Sequence, residues 1–189
     1  MCQIIRCQWC LSDPLYIQYH DEEWGVPVRD DQQLFEMINL EGAQAGLSWI
    51  TVLKKREGYR EVFANFDPEV LINYSDDHLE ALRQDTRIIR NRLKILAVRS
   101  NAEAYLRLRD EKGSFSDYIW DFVDGQTIQN NLKGMEDYRA TSPQSDAMSK
   151  DLKKRGFKFV GSTICYAFME AAGLVNDHFV DCFRHAELS

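Results

Sequence analysis

The chain reads as an all-α protein, and three observations carry that reading. Apolar residues recur at helical spacing through most segments, Asp and Ser stand repeatedly in cap positions before those stripes, and no stretch alternates apolar and polar residues long enough to suggest a strand. With 44% hydrophobic and 12% aromatic residues in 189, the composition is globular and excludes a disordered chain.

Taken in order, residues 7 to 29 read as irregular. Cys7 and Cys10 precede a turn at Ser12-Asp13-Pro14, and an aromatic group of Trp9, Tyr16, Tyr19, His20 and Trp24 closes at Gly25-Val26-Pro27. Such rings are costly to leave wet, so the arm is expected to dock on a core. Asp30-Asp31 starts a helix with Leu34, Met37 and Ile38 on one face. Ser48 caps a helix carrying Ile50, Val52 and Leu53, and a further short helix holds Tyr59, Val62, Phe63 and Phe66. Asp67-Pro68 and Ser75 start two more. Asp85-Thr86-Arg87 is read as a very short turn, with a long helix opening at Ile88 and running to about Leu108. Helices follow at 115–123, 143–155 and 162–172, separated by Gly113, a long polar loop from Asp124 to Ser142, and Gly156; Gly173 closes the last.

The amino terminus from Met1 has no apolar signal-like core. The most apolar run, Phe159 to Val175, is interrupted by Gly161, Ser162, Thr163 and Glu170, which suits a buried helix and not a membrane span. A cytoplasmic protein without a membrane partner is expected. Net charge is −7, which by itself disfavours a polyanion as partner, yet the basic residues gather in three short stretches around Lys54–Arg60, Arg87–Arg99 and Lys150–Lys158. An acidic protein can present one basic face in this way. Solvated helix surfaces are the plainer explanation of the same clusters.

The stretch Leu40-Glu41-Gly42-Ala43-Gln44-Ala45-Gly46-Leu47-Ser48-Trp49 organises the chain. Glu41 falls in phase with Leu34, Met37 and Ile38, and a carboxylate on an apolar face must pair, neutralise or serve a purpose. The alternative is a helix-end Glu tipped into solvent by Gly42. Gly42 and Gly46 permit tight turning and close approach. Leu47 is core or a wedge, and Trp49 core or a stacking surface.

Five cysteines, Cys2, Cys7, Cys10, Cys165 and Cys182, are odd in number without secretory context, which argues against a disulfide framework. His178 and Cys182 are an i, i+4 pair that shares a face if the segment is helical. Cys7 and His20 at the other end of the chain would complete a tetrahedral zinc site, with Cys10 as rival to His20; plain burial of the thiols is the alternative. A redox use of Cys7-x2-Cys10 would need a helix N-terminus to activate a thiol, and the residues around Pro14 suggest none.

The runs Asp13-Pro14-Leu15-Tyr16-Ile17, Tyr19-His20-Asp21-Glu22-Glu23-Trp24-Gly25-Val26-Pro27, Leu40 to Arg56, and Lys154-Arg155-Gly156-Phe157-Lys158-Phe159-Val160-Gly161 resemble the DNA-3-methyladenine glycosylase I family, with similarity from about Cys7 to Cys182. The resemblance implies a helix-hairpin-helix glycosylase fold in one domain. Its hairpin lobe would span about 30–110, and a structural zinc site on Cys7, His20, His178 and Cys182 would join segments 1–29 and 111–189. It implies Glu41 as the pocket carboxylate and catalytic residue, Tyr19 and Tyr16 as base contacts, and Trp9, Trp24 and Trp49 as walls. Gly46 and Leu47 would fill the gap in the duplex, with Arg87, Arg90, Lys154, Arg155 and Lys158 toward DNA. The implied activity is a monomeric, monofunctional hydrolase that flips 3-methyladenine out of double-stranded alkylated DNA and releases the free base. The competing reading is a zinc-stabilised module that binds damage without cleaving. One departure stands out: Arg87 occupies the place before Ile88-Ile89-Arg90 where the family usually has Gly, so a left-handed backbone there would be strained.

Overall fold

The computed structural model describes residues 4–189; Met1, Cys2 and Gln3, which entered the reading of the amino terminus and of the cysteines, lie outside the described residues. The helices, in chain order, are α1 (Pro14–Glu22), α2 (Asp31–Gln44), α3 (Trp49–Leu53), α4 (Arg56–Val62), α5 (Pro68–Leu71), α6 (Asp76–Ala81), α7 (Arg92–Lys112), α8 (Phe115–Asp121), α9 (Pro143–Lys154), α10 (Ser162–Ala171) and α11 (Phe183–Glu187). No described helix is long and apolar enough to cross a membrane.

The caps explain most starts. Asp13, Asp30, Asp67, Ser75, Asn91, Ser114 and Ser142 each accept a backbone N–H of the first turn through the side chain. Asp31 goes further: its carboxylate accepts from the backbone N–H groups of Phe115 and Ser116, tying the N-terminus of α8 to that of α2.

Three expectations are corrected. Residues 7 to 29 are not irregular throughout, because Pro14 sits at the first helical position and Asp13 caps α1, which carries Tyr16, Tyr19 and His20. The long helix does not open at Ile88. Asn91 caps it, so residues 85 to 91 form the turn, with the Ile89 N–H donating to the Tyr59 hydroxyl at 3.1 Å, and the helix runs on to Lys112. The loop 124–142 contributes β1 (Ile128–Gln129), paired in parallel with β2 (Val175–Asn176); two residues each are too few to show alternation. His178 to Cys182 is not helical, so the two side chains meet through a turn.

One apolar core joins α2, α4, α7, α8, α9 and α10 around Phe35, Phe63, Phe66, Phe115, Trp120, Phe157 and Phe168. Gly42 lies inside α2 and does not end it: a Cβ there would stand 3.0 Å from Phe159 Cβ and 3.2 Å from its carbonyl oxygen. Phe159 itself has φ +55, a conformation that costs a non-glycine residue about 1 kcal/mol or more. Buried Asn101 holds that turn, accepting from Lys158 N–H at 2.7 Å and donating to Asn39 Oδ1 at 2.9 Å. A smaller cluster of Tyr19, Trp24, Leu53 and Ala171, flanked by Trp9, Tyr16 and Trp49, covers α2 on the side where Glu41 emerges.

Candidate active site and metal centre

Helix α2 is the platform. Its apolar stripe packs inward, and Glu41, in phase with that stripe, is 3% exposed. The helix end is finished by Lys94 of α7, whose Nζ donates to the carbonyls of Ala43 at 2.8 Å and Ala45 at 2.6 Å. Burial lowers the Lys94 pKa. A cation on the last carbonyls of a helix is favourable, and here it also fixes the loop beyond. In that loop Gly46 turns with φ +78, which glycine tolerates and L-residues resist, and Leu47 is left 42% exposed at its tip. Replacing Lys94 by Met is expected to cost about 1–3 kcal/mol of stability. The same change should weaken damaged-duplex binding more than free-base binding, as paired thermal melts and titrations would show.

Glu41 opens on a cavity of about 310 Å³. Its walls are Trp9, Tyr16, Tyr19, Trp24 and Trp49, with Gln44 and Ala167 beside them. Trp9 packs on Tyr16 at 4.9 Å and on Trp24 at 4.8 Å between ring centroids, and Tyr19 lies 5.5 Å from Trp49. No described group hydrogen-bonds the Glu41 carboxyl, and burial alone pushes its pKa up to about 8. Burial, reinforced by the Glu41 charge, also raises Tyr16 to about 12 and holds Tyr19 well above the ordinary phenol value, so both remain O–H donors at neutral pH. Trp49 Nε1 is buried without a partner. The cavity is therefore walled by aromatic rings with an unpaired acid among them, a volume and chemistry suited to a planar cation.

Four lining residues escaped the sequence reading. Glu170 of α10 and Asp177 after β2 bring two more buried carboxyls to the cavity, and the loop 124–142 lays Met135 and Tyr138 over it. Glu170 had a signal, since a carboxyl in an apolar helix poses the same question as Glu41. Asp177 and Tyr138 had none, because their segments are brought together by tertiary contacts such as the parallel β1–β2 pairing.

Beside the cavity, Cys7, His20, His178 and Cys182 converge, all buried, with their ligand atoms within 4.8 Å of one another. Cys182 Sγ is 3.5 Å from His20 Nε2 and 3.7 Å from His178 Nδ1, and Cys7 Sγ is 3.8 Å from His178 Nδ1. Tetrahedral coordination at ordinary metal–nitrogen and metal–sulfur lengths has donor edges of about 3.4–3.8 Å. The remaining ring nitrogens are engaged outward, His20 Nδ1 to Asp21 Oδ1 at 2.8 Å and His178 Nε2 to the Trp24 carbonyl at 3.0 Å, which turns the opposite nitrogens inward as lone pairs. Cys7 and Cys182 do not ionise independently: their mutual interaction, with burial, raises Cys7, while the same interaction and the hydrogen bonds with His178 and His20 lower Cys182. This group could bind a metal ion. Cys10 points elsewhere, donating to the Cys7 carbonyl at 3.1 Å. The two imidazoles also touch the cavity walls, His178 at 4.6 Å from Trp24 and His20 at 5.3 Å from Trp9 between centroids.

The basic residues singled out in the sequence fare differently. Arg87 has no left-handed backbone, so its side chain imposes no strain of that kind, and its guanidinium is paired with Asp85 and Glu61. Arg155 is paired with Glu111 and Asp151. Arg90, Lys154 and Lys158 are exposed and outside the ion pairs among the described residues.

The methyladenine glycosylase family model matches residues 9–185. Over 177 residues the chain is 55% identical to DNA-3-methyladenine glycosylase 1 of Escherichia coli (strain K12), covering 94% of this chain and 95% of that protein. A crystal structure of 3-methyladenine DNA glycosylase I superposes with a TM-score of 0.93 at 56% identity, over 95% of this chain and 98% of that one. The Staphylococcus aureus 3-methyladenine DNA glycosylase I, solved to explain its recognition of 3-methyladenine, matches with a TM-score of 0.91 at 37% identity, over 94% of this chain and 95% of that one.

Proposed function

The chain belongs to the methyladenine glycosylase family, and from that premise we propose that it excises 3-methyladenine from alkylated double-stranded DNA, with the Glu41 cavity receiving the flipped base. The observation that carries the reading is Glu41 itself, a buried carboxyl without a protein partner facing an aromatic slot. A purine methylated at N3 carries positive charge, which already weakens its bond to the sugar. The protein's task is then to select the cation and hold it while water takes the sugar carbon.

Selection follows from electrostatics. Glu41 keeps its proton until about pH 8, so ionising it at neutral pH costs about 1–2 kcal/mol. A cationic purine offsets that cost by pairing with the carboxylate, and the faces of Trp9, Trp24 and Trp49 add attraction for the cation. Neutral adenine offers neither gain. Tyr19 and Tyr16, held as phenols, supply O–H donors to the base edge. No lysine lines the cavity among the described residues, so no amine stands ready to form a Schiff base, in keeping with a monofunctional hydrolase.

Leu47, exposed on the Gly46 turn, is the group to fill the stack vacated by the base. Arg90, Lys154 and Lys158 supply phosphate contacts without first breaking an ion pair, whereas Arg87 and Arg155 must exchange partners to do so. Leu47→Ala is expected to slow base release from duplex DNA about tenfold, consistent with loss of a few kcal/mol at most from an unstacking step. Free 3-methyladenine binding should stay as in wild type, which a parallel titration checks.

Zinc is the metal whose chemistry the two thiols and two imidazoles fit, in a closed structural site. It would be held by Cys7, His20, His178 and Cys182, tying the N-terminal arm to the chain end. A monomer working on DNA in the cytoplasm belongs to the same proposal. The deciding experiment incubates methylated duplex DNA with the protein and follows free bases by chromatography. Release of 3-methyladenine is expected; binding of damaged duplex with no base released would leave a recognition module instead.

A further inference from the structure

The two imidazoles of the metal centre differ in how their outward bonds are held. His178 Nε2 meets the Trp24 carbonyl at 3.0 Å, a backbone group that the fold itself fixes. His20 Nδ1 meets Asp21 Oδ1 at 2.8 Å, and the Asp21 side chain, 20% exposed on α1, can turn to water unless something holds it. Arg6 is what holds it. Its Nε donates to both Asp21 oxygens at 2.9 Å, and a terminal nitrogen lies 2.7 Å from Oδ2. A guanidinium fork across a carboxylate fixes the plane of that carboxylate as well as answering its charge.

Arg6 makes a second contact from the same place. Its guanidinium carbon lies 5.7 Å from the centre of the Phe183 ring, and the Phe183 N–H donates to the Ile5 carbonyl at 3.0 Å. Phe183 also packs beside His20, with 6.3 Å between ring centroids. In the sequence Arg6 precedes Cys7, Asp21 follows His20, and Phe183 follows Cys182. One guanidinium therefore joins the immediate neighbours of three of the four donors, which come from the N-terminal arm, α1 and the chain end. We propose that Arg6 is a positioning residue of the metal centre. Through Asp21 it holds His20 with Nε2 toward Cys182, and through Phe183 it keeps the Cys182 turn closed on the arm, so metal affinity depends on a side chain that is not itself a ligand. The inference rests on the zinc reading and goes beyond its four ligands.

The test uses the intact protein loaded with zinc and a chromogenic chelator as competitor, so that the reading is metal affinity and not excision. Arg6→Met is expected to bind zinc about 10–100-fold more weakly than wild type, the usual loss when an outer partner of a ligand is removed. Asp21→Asn keeps an acceptor for His20 but not the anion for Arg6, and it should lose affinity as well. The double variant should be no more than about threefold weaker than the weaker single one, because Arg6 acts mainly through Asp21. Arg6→Lys, a point charge without the fork, should fall between wild type and Arg6→Met. Stripped of metal, wild type and Arg6→Met should melt within about 4 °C of each other, as for loss of one partly exposed ion pair. Zinc affinity of Arg6→Met within about twofold of wild type overturns the proposal. So do penalties that multiply in the double variant, or a stripped Arg6→Met that melts far below stripped wild type, since Arg6 is then a general support of the fold. If Arg6→Met does not fold, wild-type affinity in both Arg6→Lys and Asp21→Asn overturns it. A wild type that holds no zinc against the chelator counts instead against the zinc reading.

Discussion

Glu41→Gln loses base release and gains stability at alkaline pH, two effects of opposite sign from one oxygen replaced. Loss of a preorganised charge at the reacting group is worth about 10²–10³ in rate, and single-turnover excision of 3-methyladenine from duplex DNA should fall by that much. The stability effect follows from linkage. Burial raises the folded pKa of Glu41 from 4.5 to about 8, so the folded state holds a proton that the unfolded chain releases. The contribution of this group is complete below about pH 4.5 and is lost as pH rises toward 8. Glutamine has no proton to lose. The variant should therefore exceed wild type by up to about 3–5 kcal/mol near pH 8. Melting curves of the two proteins should separate between pH 5 and 8 and converge at pH 4.5. The same proton shapes activity: kcat/KM of wild type should climb with a midpoint near pH 8 and level off above it, as the free enzyme's carboxyl ionises, and the Gln variant should show no such climb. An unaltered excision rate in Glu41→Gln removes the carboxylate from the reaction.

The second large effect concerns the four-donor cluster. His178→Ala takes one ligand from a closed site and leaves the Trp24 carbonyl without its donor. A cost of about 3–5 kcal/mol is expected for a buried polar site that loses one member, and at about 2–4 °C per kcal/mol for a chain of this size the midpoint should fall by about 10–15 °C. Strong chelation of the wild-type protein should produce a drop of the same order, reversed by added zinc, with one metal per chain by elemental analysis. Activity should fall with it, because His20 and His178 pack against Trp9 and Trp24, which also line the base cavity. A midpoint insensitive to both chelation and His178→Ala would show that the four residues are merely packed.

Much of this was legible in the residues. Glu41 stood out by phase: a carboxyl seven residues after Leu34 on an apolar stripe is either buried with the stripe or tipped into solvent by Gly42, and the structure buries it. Asp30, Asp67 and Ser75 marked helix starts because their side chains bond the first-turn N–H groups, a local interaction readable from a few residues. The start of α7 was misread because Ile88 and Ile89 continue its apolar pattern. Their burial is served from a turn, where Asn91 is the better cap. The His178–Cys182 spacing would share a face on a helix, and the structure brings the two atoms together through a turn.

Local chemistry thus determined most of the helices, several of their starts, and that one acid fell in phase with an apolar stripe, because caps and apolar phase act within a turn or two. The tertiary structure alone decided which groups share the cavity with that acid. Glu170, Asp177 and Tyr138 arrive from α10, β2 and the 124–142 loop, and their charges and hydrogen bonds act across distances in space that no spacing along the chain encodes.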